Sequence, residues 1–316
     1  MPAITQQAPP TTMAATYAII PVFLIILGGY VCRLYQFPDD NFWQGAEKIT
    51  YFLLFPSLLV SKMATADLSG IAFLWPIVVL ALMYLAITLV FVLLKPAVTL
   101  ENKAFTSVYQ GGTRFNTYIG LAVSNALYGA EGLIVAVIVA SIMIPIVNVF
   151  CVLVLEYYND NHDNSSSTRI AKSVVANPLI LSCALGMGIN VSGIAIPAVF
   201  MEALTIFARA ALPLGLLTVG AALALKSMHT AVKPLLIASV AKFIILPTIA
   251  MSLCMVFPIE PEVRNAILVF TVLPTASASY VLAKQLGGDH ELMATIITAQ
   301  TLLAGLAMPA LLYAWG

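Results

Sequence analysis

Apolar residues recur along the whole chain in long windows separated by short polar connections, instead of forming one anchor on a soluble domain. A membrane-crossing helix needs about 20 mostly apolar residues. Reading the chain in such windows predicts ten spans. They run from Tyr17 to Leu34, Phe42 to Ser61, Ile71 to Leu94, Ala104 to Tyr128, Gly132 to Glu156, Ala171 to Asn190, Pro197 to Leu225, Pro234 to Phe257, Arg264 to Leu286 and Glu291 to Trp315. The fold class predicted is an all-α polytopic membrane protein. The longest connection, Tyr157 to Arg169, is polar, rich in Asn and Ser, and just past the middle of the chain. It reads as a linker between halves, with residues 1–156 and 171–316 as the two units and 157–170 as a cytoplasmic connection.

Composition strengthens this picture. Of 316 residues, 61% are hydrophobic and 9% charged, against roughly 25% charged in ordinary soluble domains. Mean hydropathy is +1.00, and a water-soluble globule is excluded. Lys+Arg and Asp+Glu balance at 14 each, leaving neither a basic footprint for nucleic acid nor an acidic tail. The distribution of charge says more than its sum, because short basic loops stay cytoplasmic. With the amino terminus outside, cytoplasmic connections hold Arg33, Lys95, Lys103, Arg169, Lys172, Lys226, Lys233 and Lys284, and outer ones hold Lys62 and Arg264. Both termini are therefore expected outside. The polar start of the chain lacks the basic region of a secretory signal, so the first span is expected to be retained. Cys32, Cys151, Cys183 and Cys254 sit in apolar segments without metal-like spacing, which predicts packed thiols, no disulfide and no zinc.

The two halves are related. Pro56 and Pro213 stand 157 positions apart in the similar segments KITYFLLFPSLLVSKMATADL and TIFARAALPLGLLTVGAALAL, and Pro76 and Pro234 stand 158 apart. That offset sets Asn116 opposite Pro274 and Gly129 opposite Gly287. Each half then holds five spans, and an odd number makes the second half enter the membrane in the opposite sense. The expectation is two inverted five-helix repeats, with a binding site near the midplane where discontinuous helices of the two halves meet.

Spans four and nine are the least helix-like. One clusters Gly111, Gly112, Thr113, Asn116 and Thr117, the other Pro274, Thr275, Ser277 and Ser279, a composition suited to locally unwound backbone. Pro274 has no N–H and frees a carbonyl that needs a partner away from water. Broken helices crossing near the bilayer centre would turn positive half-helix ends toward an anion. Close packing of small residues is the alternative use of the same Gly, Ser and Thr.

The fragments GGTRFNTYIGLAVSNALYG, VVANPLILSCALGMGIN and LPTASASYVLAKQLGGDHELMATIITAQTLLAGLAMPALLYAW resemble the auxin efflux carrier family, above all its short bacterial members described as malonate or organic-acid permeases. The resemblance covers essentially the whole chain and is most specific at Phe115 to Thr117 and Leu273 to Lys284. It implies ten helices in two inverted repeats, crossed and broken helices four and nine beside the substrate, an elevator-like division into scaffold and transport domains, and a homodimer. The short form implies a multi-pass plasma membrane protein of a bacterial inner membrane. Plant carriers place a Pro before the crossover Asn, where this chain has Phe115, and many also carry a long cytoplasmic loop that is absent here.

Ionisable residues at membrane depth usually face a cavity. Arg114, Arg209 and Lys242 fall inside spans, and their acidic counterpart is mainly Glu202, seven positions before Arg209, with Glu47 nearer the cytoplasmic end. The interior is read as electropositive, favouring a carboxylate over a cation or sugar. Substrate contacts are expected from Arg114, Asn116, Thr117, Pro274, Thr275, Ser277 and Ser279, with Glu202, Arg209 and Lys242 as candidates for charge compensation or coupling. Gln300, Asn148 and Asn125 read as groups that bridge helices. No Asp lies inside a span, HExxH and GxSxG are absent, and His162, His229 and His290 fall in loops, so no catalytic residue, metal or cofactor is expected. The function expected is secondary transport of a small organic anion such as malonate, malate or an auxin-like acid, coupled if at all to H+ or Na+. A sodium-coupled symporter of the bile-acid carrier type and a membrane receptor or sensor are the alternatives.

Overall fold

The computed structural model describes residues 12–66, 73–158, 177–225 and 231–315. The predicted linker beyond Tyr158, together with Arg169, Lys172, Lys226, His162, His229 and the first residues predicted for span six, lies outside them. The described residues form helices and connections, with no strand. In chain order these are α1 (Thr12–Leu34), α2 (Asp40–Ile49), α3 (Phe55–Thr65), α4 (Leu74–Leu94), α5 (Asn102–Thr113), α6 (Thr117–Tyr157), α7 (Pro178–Ser192), α8 (Ala198–Ala221), α9 (Val232–Val240), α10 (Leu246–Val256), α11 (Pro261–Thr271), α12 (Ala278–Gln285) and α13 (His290–Trp315). Among them, six helical runs are long and apolar enough to cross a bilayer: Ala15–Leu34, Leu74–Leu94, Asn102–Tyr157, Ala198–Ala221, Val232–Val256 and His290–Trp315. This is a multi-pass, all-helical membrane protein.

Proline explains two irregularities. α2 runs into α3, and α9 into α10, through π-helical segments Thr50–Leu54 and Ala241–Ile245. Pro56 and Pro247 follow immediately, and neither can donate to the preceding turn. The ladder shifts instead, so that Phe55 N–H donates to the Thr50 carbonyl and Leu246 N–H to that of Ala241, which widens the helix by one residue without breaking it. Gly129 does the opposite job in α6. Its φ of 66° and ψ of −157° are non-helical and kink α6 at that point, dividing it in two.

The helices pack as two groups. α1, α2, α3, α7 and α8 contact chiefly one another, and α4, α5, α6 and α9 to α13 form the second group, with α6 and α13 touching the first. Inside the first group, α1 and α8 meet backbone to backbone, since a methyl group on Gly29 would overlap the Leu217 carbonyl and one on Gly220 that of Ile26. Such approach is how helices associate in lipid, where tails are as apolar as leucine and packing replaces the hydrophobic drive. In the second group, α5 lies on α9 and α11 on α6, bringing the two low-helicity segments together.

Candidate functional site

Both low-helicity segments are interrupted, and the interruptions touch. α5 ends at Thr113 and α6 starts at Thr117; α11 ends at Thr271 and α12 starts at Ala278. The Asn116 N–H donates to the Pro274 carbonyl across 2.8 Å. Asn116 Oδ1 accepts from the N–H groups of Tyr118 at 3.0 Å and Ile119 at 3.2 Å, so this side chain is the amino-terminal cap of α6. Phe115 packs edge-on against Phe270, with ring centroids 5.1 Å apart.

Gln300 of α13 closes the other open valences. Its Nε2 donates to the Gly111 carbonyl at 2.9 Å, and its Oε1 accepts from the Thr275 N–H at 3.1 Å. Thr275 Oγ1 stands 2.7 Å from that Oε1 and 2.9 Å from the Gly111 carbonyl, donating its one proton to either. A freed backbone group in a bilayer core costs several kcal/mol if left bare, which is why a buried amide serves both breaks.

Beside the crossing lies a cavity of about 100 Å3, room for roughly three water volumes or one solute of several heavy atoms. Arg114, Asn116, Thr117, Asn148, Asn177 and Ser277 give it polar lining, with Glu47, Tyr51 and Tyr118 on the remaining sides. Three helices begin here: α6 after Asn116, α7 after Asn177 and α12 after Ser277. Asn177 Oδ1 caps α7 by accepting from Leu179 and Ile180, whereas the Ser277 side chain makes no capping bond. Arg114, half-buried at the carboxyl end of α5, donates from Nη1 to Asn148 Oδ1 at 2.8 Å. The cavity therefore combines one guanidinium, three helix amino termini and neutral donors, with Glu47 the carboxylate on its wall among the described residues.

Of the seven sequence candidates for binding, Arg114, Asn116, Thr117 and Ser277 line this cavity. Pro274, Thr275 and Ser279 are fully enclosed behind it, the first two bonded into the crossing and Ser279 Oγ without a hydrogen-bond partner. Lys242, in the π-helical segment, is also completely buried, and its Nζ has no hydrogen-bond partner. Arg209 lines a different cavity, and Glu202 is exposed and lines neither. Glu202 and Arg209 form no ion pair; Arg33 with Asp40, at 2.5 Å, is the pair present among the described residues. Sequence reasoning missed Asn177, although Asn followed by Pro is a helix-start signal. It weighed Asn148 only as a helix bridge and left Tyr51 unremarked. Four free cysteines complete the inventory.

Known proteins similar to this chain are described as transporters. A family model described as membrane transport protein matches residues 14–312. An uncharacterized transporter of Methanothermobacter thermautotrophicus is 21% identical over 302 residues, covering 94% of this chain and 97% of that protein. An uncharacterized transporter of Methanocaldococcus jannaschii is 23% identical over 291 residues, covering 90% and 93%. With helices long enough to span a bilayer and a family match from end to end, the chain belongs to the membrane transport protein family, that of the auxin efflux carriers, and is a membrane transporter.

Proposed function

We propose that this protein is a secondary transporter of a small organic anion, a carboxylate such as malonate, malate or an auxin-like acid, bound at the crossing of the broken helices. The observation that carries the reading is the meeting of three helix amino termini with Arg114 around one small cavity. Each helix terminus contributes about 0.3–1 kcal/mol toward a negative group, and a charge-assisted bond from a guanidinium about 1.5–3 kcal/mol. A carboxylate matches the two-pronged donor face of Arg114, while Asn116, Thr117, Asn148 and Ser277 offer neutral partners.

Ten spans in two inverted repeats accommodate the elements. α2 with α3, α9 with α10, and α11 with α12 each make one span, and α6 contributes to two on either side of Gly129. The division into two helix groups supports an elevator-type mechanism, in which the crossing-bearing group of α4, α5, α6 and α9 to α13 slides against α1, α2, α3, α7 and α8. With the amino terminus outside, the crossover cavity opens to the cytoplasm.

A sodium-coupled symporter has one observation in its favour. The Gly111 carbonyl, Gln300 Oε1 and Thr275 Oγ1 converge beside the crossing, as oxygen ligands for a cation would. Thermal shift of the purified protein against mono- and dicarboxylates, with and without sodium and at two pH values, tests both readings, because a ligand of the folded state raises its melting temperature. A carboxylate-specific shift that is lost in Asn116→Ala is the expected result. A shift with sodium alone, or with a neutral or cationic solute, overturns the anion reading and puts the symporter first.

A further inference from the structure

A second cavity, of about 830 Å3, gathers where α1 begins, α3 ends, α6 is kinked and α8 begins. Two cations, Lys62 and Arg209, line it, with Asn125 and Thr205 beside them. Among the described residues no carboxylate lines this cavity, and neither cation forms an ion pair. The rest of its wall is mostly apolar. A pair of positive charges beside an apolar wall suits an anion that has an apolar body.

What separates this cavity from the crossover cavity is specific. Phe55, fully buried, stacks on Tyr118 with ring centroids 4.3 Å apart and planes at 27°. Both rings rest on Gly215, where a methyl group would come within 3.1 Å of Phe55 and 3.2 Å of Tyr118. Tyr118 lines the crossover cavity. One helical turn away on the same three helices, Leu58, Ala122 and Leu212 line the second cavity. Phe55 and Gly215 belong to one helix group and Tyr118 to the other, so any sliding of the groups must break this contact.

We infer that the second cavity is a further binding station for organic anions, held by Lys62 and Arg209, and that the Phe55–Tyr118 stack on Gly215 is the barrier between the two stations. The inference rests on the anion-transporter reading. An anion leaves the crossover when Tyr118 moves past Phe55, and meets Lys62 and Arg209 on the far side.

The test uses full-length protein in liposomes, with Thr205→Cys introduced after the four native cysteines are replaced. A membrane-impermeant anionic methanethiosulfonate reagent is applied from each side, with malonate and indoleacetate as probes. Labelling from one side only is expected, slowed at least fivefold by a saturating probe and slowed likewise by Lys62→Gln with Arg209→Gln. That double variant should still show a probe-induced thermal shift, now from the crossover site alone. Phe55→Ala should keep the shift and raise probe leak across the membrane. Equal labelling by anionic and cationic reagents, or no protection by either probe while the thermal shift persists, overturns the second station and spares the transporter reading. Protection that appears only in phosphatidylglycerol bilayers and never with the probes assigns the cavity to a lipid headgroup and overturns the inference. Loss of both shift and transport in the unsubstituted protein overturns the two readings together.

Discussion

The two helix breaks share a composition of small and polar residues but do different work. Between α5 and α6 three residues interrupt the helix, and they do three things: Arg114 reaches into the cavity, Phe115 packs on Phe270, and Asn116 both caps α6 and donates to the other break. Between α11 and α12 the interruption spans six residues, and most of its polar groups turn away from the cavity. Pro274 supplies a carbonyl to Asn116, Thr275 is bonded to Gln300 and Gly111, and only the end at Ala276 and Ser277 meets the cavity. One break presents chemistry to a ligand, and the other chiefly holds the crossing together. In a bilayer, where each opened turn needs its own partners, this division lets a single amide, Gln300, free the first break for binding.

The comparison is broken most severely at that amide. Gln300→Leu leaves the Thr275 N–H without an acceptor, at a cost of about 1–3 kcal/mol for a bare buried donor, and leaves the Gly111 carbonyl with the Thr275 hydroxyl as its remaining side-chain donor. The expected outcome is a melting temperature lowered by several degrees together with loss of carboxylate binding, read by thermal denaturation in detergent. A melting temperature like that of the unsubstituted protein would show that the second break does not depend on this brace. Arg114→Gln comes next and acts on the other side of the comparison. It removes the guanidinium of the cavity, so carboxylate affinity should fall about tenfold to a hundredfold, the equivalent of one charge-assisted bond, with stability little changed. Calorimetric titration with malonate checks it, and unchanged affinity would move the anion away from this break.

How far these roles are legible in the sequence follows from what each signal is made of. Pro274 announces its break because backbone conformation is a local property, whereas Gly111 and Gly112 stay helical at the end of α5 and make room for Ala238, Ala241, Phe91 and Ile296, the packing use of small residues. Arg114 and Asn116 stand out because polarity in an apolar window is local as well. The depth of a side chain is not local: Thr275 and Ser279 resemble Ser277 in sequence, yet the helix face to which each belongs depends on where α11 stops and how α13 packs behind it. Gln300 likewise reads as a bridging group, but nothing near it names Gly111 as its partner, 189 positions away. Asn148 and Asn177 reach the cavity only because α6 and α7 bring them there. The π-helical segments at Thr50–Leu54 and Ala241–Ile245 were foreshadowed by Pro56 and Pro247, although proline alone does not choose between a kink and a widened turn.

Asn116→Ala tests the residue that joins both breaks. Its backbone donor to Pro274 survives the substitution, and its two capping bonds do not. Loss of an Asn cap costs about 1 kcal/mol, so membrane insertion and most of the stability should persist. Transport should be impaired severalfold, because the amino end of α6 faces the ligand. Uptake equal to the unsubstituted protein would remove the crossing from the mechanism.

The smallest effect is expected at Ser277→Ala, and it sharpens the comparison most finely. Ser277 stands at the start of α12 without capping it, so the hydroxyl is not holding the helix and its removal should leave the melting temperature unchanged within about a degree. Ser277 does line the cavity, and a neutral hydrogen bond is worth about 0.5–1.5 kcal/mol, so carboxylate affinity should weaken by roughly twofold to tenfold. Measuring the two quantities on the same preparation separates the roles. Affinity lost at constant stability would place the one ligand contact of the second break at Ser277, whereas stability lost at constant affinity would mean that α12 relies on this residue and that binding belongs entirely to the first break.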